Sequence, residues 1–309
     1  MDQRLEQSVP SARFALTVDV EEWFTGVADL PHQLDRFPSR LDIGMELCLE
    51  LLAETRTPAT FFFLGYLAEL RPRWVERVVA AGHEVAVHGQ YHVPLKELTV
   101  AQFRESVARA RRALLDAGAT SVVGFRAPVF SVDASTVWAL DVLEELGFEY
   151  DSSIFPILNP RYGHPRAPRF PFRPTRGGRL TEFPISTLNV AGVRVPFSGG
   201  FYLRALPLWL LSAAFRRAAR RSEATVCYFH PWELDVEQPA LPGSRSARLR
   251  HRVGLATTRP KLEALLREFK FGTMSQVLRG YPAPTPAPTL LQLRRRPGPP
   301  GPNSDPQRT

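Results

Sequence analysis

The sequence predicts an α/β fold: a parallel sheet wrapped by helices, either open or closed into a barrel. Three observations predict it. Short β-rich apolar runs alternate with helical patterns along most of the 309 residues. The helical stretches carry start and stop signals. The polar residues that could do chemistry stand at the C-terminal ends of predicted strands, where such folds gather their sites. With 44% hydrophobic residues the chain can bury a full core, and one catalytic-sized domain is expected.

Residues 14–21, "FALTVDVE", are β-rich and alternating. A helical pattern then runs from about Leu41 to Thr55, followed by the buried-strand run "PATFFFLG". "RPRWVERVVAAG" reads as a helix with proline near its start and Gly82 at its end, and "HEVAVH" as a strand. In "TVAQFRESVARARRALLDAG", Thr99 and Gln102 have capping-box spacing, apolar residues recur at Phe103, Val107, Ala110 and Leu114, and Gly118 ends the helix. "SVVGFR" follows as a strand, "DASTVWALDVLEELG" as a helix and "FEYDSS" as a strand. The rhythm continues less regularly to "ATVCYFHPWELD" and a last helical pattern around 259–279.

Two segments break the rhythm. Residues 155–200, rich in Pro, Arg and Gly, read as a long insertion with short β pieces such as "LTEFPIST", suited to a substrate lid. Residues 281–309 are Pro-rich and expected to be disordered. The expected organisation is an N-terminal extension (1–13), a catalytic domain (14–280) containing the insertion, and the tail.

A formal charge of +8 invites a nucleic-acid reading. However, the basic residues are almost all Arg, with Lys96, Lys261 and Lys270 the only lysines, so composition bias explains the charge and no nucleic-acid partner is expected. The runs "FRRAARR" (215–221) and "RSARLRHR" (245–252) remain candidates for an anionic lipid or polymer, which leaves peripheral membrane contact open. Cys48 and Cys227 have no CxxC spacing, so neither a disulfide framework nor a thiolate metal site is indicated. No signal pattern or spanning apolar run is visible, and a cytoplasmic location, including the inner face of the membrane, is expected. Oligomeric state is not legible.

Three of the seven histidines fall in "HEVAVHGQYH". His83 follows the helix exit and reads as structural. His88 and His92 are spaced i, i+4 at a strand end, a spacing shared by ligand pairs and by surface pairs. In "LTVDVEEWF", alternation puts Thr17, Asp19 and Glu21 on one face. Two buried acids need a cationic partner. That partner is either a metal held by His88, His92 and one carboxylate, or an arginine. Arg126, Asp151 and His230 close three further predicted strands.

The ordered series "TVDVEEWF", "HGQYH", "FRAPVFS", "YDSSIFP" and "YFHPWELD" resembles the polysaccharide deacetylases of the NodB-homology, carbohydrate esterase type. The flanking "ATFFFLG", "AGHEVAVHG", "EFPIST" and "PFSGGFYLRALP" resemble the branch found in exosortase-associated exopolysaccharide loci. The resemblance covers residues 14–280 and implies a distorted (β/α) barrel, commonly of seven strands, with the active site at the C-terminal strand ends. Most of that family has adjacent aspartates in its first motif, where this chain has Asp19 and Val20; some relatives carry acids separated by one residue, as Asp19 and Glu21 are. The implied roles are Asp19 as base, Glu21 with His88 and His92 as metal ligands, and Glu22 as the less favoured ligand. Arg126 would hold Asp19 ionised and oriented, and His230 would be the acid, oriented by Asp151. Phe130 and Trp232 are candidates for lining the sugar site, or for core.

The expected cofactor is one divalent metal ion, zinc first, with cobalt, nickel or iron acceptable to the same donors. The expected reaction is hydrolytic removal of N-acetyl groups from amino sugars of a bacterial polysaccharide or its lipid-linked precursor, making the partner an N-acetylated saccharide. The competing readings are an inactive sugar-binding homologue, an amidase of the same fold acting on a non-sugar substrate, and a non-heme iron oxygenase.

Overall fold

The computed structural model describes residues 13–25, 37–159, 162–175, 177–241, 244–282 and 284–287. Its strands are β1 (Phe14–Val20), β2 (Thr60–Phe63), β3 (Glu84–Val87), β4 (Gly124–Phe125), β5 (Tyr150–Asp151), β6 (Phe172–Arg173), β7 (Thr181–Glu182), β8 (Thr187–Val190), β9 (Val193–Pro196), β10 (Thr225–Phe229), β11 (Phe271–Gly272) and β12 (Thr285–Pro286). Its helices are α1 (Leu41–Thr55), α2 (Gly65–Leu70), α3 (Pro72–Ala80), α4 (Val100–Asp116), α5 (Ala139–Glu145), α6 (Gly200–Ala205), α7 (Leu208–Arg220), α8 (Arg245–Arg252), α9 (Leu255–Glu268) and α10 (Met274–Arg279). No helix among the described residues is long and apolar enough to cross a membrane.

Ten strands form one sheet in the order β10-β1-β2-β3-β4-β5-β7-β6-β12, with β11 also pairing with β1. From β10 through β7 every neighbouring pair is parallel, which gives the seven-stranded parallel arc of the expected fold. Because the strands are parallel, the C-terminal ends of β1, β3, β4, β5 and β10 share one rim.

All seven residues of β1 are buried. Alternation still sorts them: Leu16, Val18 and Val20 join the larger core, shared with Met45, Phe61 and Phe63, whereas Ala15 packs with Phe62, Ala86 and Tyr228 on the opposite face. Asp19 shares that second face. Fully buried Val20 contributes about 1.5–3 kcal/mol, so the residue that departs from the common motif has become a core residue. Helix α4 carries the expected capping box, Thr99 accepting from the Gln102 N–H and Gln102 from the Thr99 N–H.

The structure corrects three expectations. The stretch 155–200 is not a mere insertion: Thr181 and Glu182 enter the main sheet beside β5, Phe183 and Ile185 are fully buried, β8 and β9 form a separate antiparallel hairpin, and Tyr162 lines the cleft described below. The pattern at 259–279 is two helices divided by β11, because Phe271 leaves the helix to join the aromatic cluster of Phe14 and Phe215. The expected tail boundary at 281 falls early, since Thr285 and Pro286 pair with Phe172 and Arg173; residues 288–309, like the extension at 1–12, lie outside the described residues.

Candidate functional site

Glu21, just past the end of β1, meets both histidines of "HGQYH". Its Oε1 lies 3.0 Å from His88 Nε2 and 3.1 Å from His92 Nε2. Among the described residues these three form the one group of His, Cys, Asp and Glu able to converge on an ion. Gly89, at φ +86°, lets the chain turn sharply enough for His92 to come back beside His88. Burial opposes ionisation of Glu21, but the positive character of the His92 and His230 rings and the close approach of His88 and His92 outweigh it and hold its carboxyl well below the ordinary glutamate range.

The tautomer of His88 matters here. Its Nδ1 is 2.8 Å from the Arg126 carbonyl oxygen, which only accepts, so Nδ1 carries hydrogen. In the neutral ring Nε2 is then a bare lone pair facing a carboxylate oxygen at 3.0 Å. That contact is repulsive unless a proton or a cation lies between them. A ring whose Nδ1–H is held by a carbonyl is also the usual arrangement of a metal-binding imidazole.

Glu22 turns away from this group. It accepts hydrogen bonds from the Ser39 hydroxyl and, at 3.2 Å, from the Arg40 N–H, and burial raises its pKa. The alternation in β1 thus continues for two residues beyond the strand. Asp19 accepts from Arg126 Nη1 at 2.6 Å. Arg126 is fully buried and also donates to Thr17 Oγ1 (2.8 Å), the Ser152 carbonyl (3.2 Å) and Ser152 Oγ (3.0 Å), while its guanidinium lies 4.1 Å from the Phe62 ring centroid. One residue therefore orients Asp19 with its side chain and His88 with its carbonyl.

His230 follows β10, but its carboxylate partner is Glu233, not Asp151. Glu233 Oε2 lies 3.2 Å from His230 Nδ1, because the Pro231–Leu234 3-10 turn folds "HPWE" back on itself, with the His230 N–H donating to the same oxygen at 3.0 Å. Burial would lower the pKa of His230, but Glu233, Glu21 and Asp19 raise it to about 9. Glu233 in turn accepts from Arg204 Nε at 2.6 Å. Asp151 instead accepts from the Ser153 hydroxyl and pairs with Glu182. Burial raises the pKa of both acids, and Asp151 pushes Glu182 up further, so the two share a proton. The Ser153 hydroxyl accepts from the Ala127 N–H at 2.7 Å, so this pair braces the turn that follows Arg126.

Asp19, Glu21, His88, His92 and His230 all open on one cleft of about 690 Å³, with Phe130 and Trp232 in its walls. Phe130 and Val129 have φ of +51° and +58°, a conformation that L-residues avoid and a β-branched residue most of all. This strained turn sets the Phe130 ring against Tyr228 and Phe155. Trp232 is sandwiched between His230 (5.4 Å) and His251 (4.7 Å). His83 is remote from the cleft as expected: its Nδ1 accepts from the Ala59 N–H at 3.3 Å, and burial depresses its pKa to about 4.

Sequence reading missed Glu233, Arg204, Glu182 and His251. Only Glu233 carried a local signal, the i, i+3 spacing from His230 in a proline-led turn. The others come from segments distant in the chain.

Residues 43–150 match the polysaccharide deacetylase family model, and residues 152–279 match a domain of unknown function, DUF3473. A chitooligosaccharide deacetylase of Sinorhizobium fredii is 40% identical over 96 residues, 31% of this chain and 42% of that protein. A peptidoglycan deacetylase of Helicobacter pylori is 27% identical over 129 residues, 42% of this chain and 43% of that protein. The chain thus spans less than half the length of these relatives. A Mycobacterium smegmatis crystal structure named as a polysaccharide deacetylase superposes with a TM-score of 0.59 at 23% identity, covering 87% of this chain and 90% of that one, and shows the same fold.

Proposed function

We propose that this chain, whose residues 43–150 match the polysaccharide deacetylase family model, is a metal-dependent hydrolase that removes N-acetyl groups from amino sugars of a saccharide. The observation that carries the reading is the contact between Glu21 and His88 Nε2. Two acceptors face each other in a buried site, and a cation resolves the repulsion. Two imidazole nitrogens and one carboxylate fit a divalent ion, zinc first.

Such an ion, when bound, supplies Lewis acidity toward a carbonyl and lowers the pKa of water. Asp19, oriented by Arg126, takes the proton from the attacking water. His230 carries a proton at neutral pH and donates it to the departing amine nitrogen, which leaves acetate and a free amino sugar. The edge of Trp232 and the Phe130 ring, both in the cleft wall, flank the sugar. The similarity of the motifs flanking the site to the exopolysaccharide-locus branch supports a polymer or its lipid-linked precursor as substrate, met at the cytoplasmic face of the membrane.

Elemental mass spectrometry on wild type, Glu21→Ala and His88→Ala, with acetate release from chitooligosaccharides and peptidoglycan fragments, tests this. The expected result is close to one divalent ion per chain and acetate release in wild type, both lost in the variants. A wild-type protein that stays metal-free after loading with zinc would overturn the hydrolytic reading.

A further inference from the structure

Several arginines of this protein meet a carboxylate: Arg109 with Glu69 at 2.9 Å, Arg216 with Glu268 at 2.5 Å, Arg259 with Glu54 at 3.1 Å and Arg267 with Glu263 at 2.6 Å. Helix α8 differs. Its sequence, RSARLRHR, has four arginines and no acid, and among the described residues Arg245, Arg248 and Arg250 meet no carboxylate. An arginine-rich composition accounts for the arginines but not for the missing acids on this helix.

One of these arginines belongs to the cleft. Arg250 lines it together with Phe201, Tyr202 and Trp232, and its guanidinium lies 5.6 Å from the Phe201 ring centroid. The helix is also tied to the residues that hold His230. Arg204, paired with Glu233, donates to the carbonyls of His251 (2.8 Å) and Val253 (2.6 Å) at the C-terminal end of α8. His251 of the same helix stacks on Trp232. Arg250 therefore projects from a fixed support into the cleft that His230 also lines, with its guanidinium over the Phe201 ring. Rings of that kind take sugar faces, and an unpaired guanidinium fork takes a carboxylate or phosphate through two parallel hydrogen bonds.

We propose that α8 supplies an anion subsite to the cleft. Arg250 binds an oxyanion carried by the same saccharide whose acetamido group reaches Asp19: the carboxylate of a uronate unit or the phosphate of a lipid-diphosphate carrier. The inference rests on the deacetylase reading for the saccharide and adds that it is charged.

Calorimetric binding to the metal-loaded full chain tests this with three ligands: a neutral N-acetylglucosamine oligomer, an oligomer of equal length containing uronate, and N-acetylglucosaminyl diphosphate on a short prenyl tail. At least one anionic ligand should bind about ten-fold or more tightly than the neutral one, and Arg250→Gln should remove that advantage. Arg216→Gln, which removes the same charge from α7 outside the cleft lining, should not. The ligand that responds identifies the source of the oxyanion. Equal affinity for all three ligands, or an equal loss in Arg216→Gln, overturns the subsite. Acetate release from the same ligands separates the two ideas: release without anion preference leaves the deacetylase and removes the subsite, whereas anion preference without release does the reverse.

Discussion

The two walls of the cleft balance their charges differently. On the β1 and β3 side, Glu21 faces two imidazole nitrogens, and the Arg126 carbonyl has turned His88 into a tautomer that cannot donate to it. A cation between Glu21 and the neutral His88 ring would complete that wall. On the β10 side, His230, Glu233 and Arg204 alternate in sign at 3.2 and 2.6 Å, and the series ends on helix carbonyls. This wall is balanced within the chain and holds its own proton. The contrast suits a reaction that needs an electrophile on one side of the substrate and an acid on the other.

Arg126→Met tests whether the first wall is also the more fragile. It strips a fully buried Asp19 of its partner, and losing half of a buried pair costs about 3–5 kcal/mol, so chemical denaturation should show a loss of that size together with loss of activity. A change below about 1 kcal/mol would show that the pair is not holding the rim. Asp19→Asn asks whether the base and the ligand group are separable. The expected result is a fall in kcat of about 10²–10⁴-fold with the metal content of wild type, and retained turnover would remove Asp19 from its role. Glu233→Gln has the smallest effect on turnover and probes the second wall alone. With the anion gone, the pKa of His230 falls from about 9 toward 6.5, so the alkaline limb of the rate profile should move down by about one unit or more. The linkage has the same sign. A raised histidine pKa adds stability that is complete below about pH 6.5 and lost as pH rises through about 9, so the stability gap between wild type and variant should be wider at pH 6 than at pH 10, where only the loss of the buried Arg204 partner remains.

The first wall was also the more legible in the sequence. Alternation along β1 placed Asp19 and Glu21 together and sent Val20 to the core and Glu22 away, because side chains in a strand repeat every two residues whatever the partner strands are. The spacing of His88 and His92 is equally local, closed by one glycine turn. The second wall was read only in part. His230 was found, but its partner was taken to be Asp151, the role the family resemblance implied.

What the sequence determined by itself, then, are the features set within a turn or a strand: the capping box of α4, the parallel β/α rhythm, and the convergence of Glu21, His88 and His92. Tertiary structure decided which distant groups meet. Thr181 and Glu182 entered the sheet beside β5 and brought Glu182 against Asp151, and Arg204 reached Glu233 and the end of α8 across long stretches of chain. Parallel strand order and buried ion pairs depend on how separate segments pack, and no local periodicity encodes that.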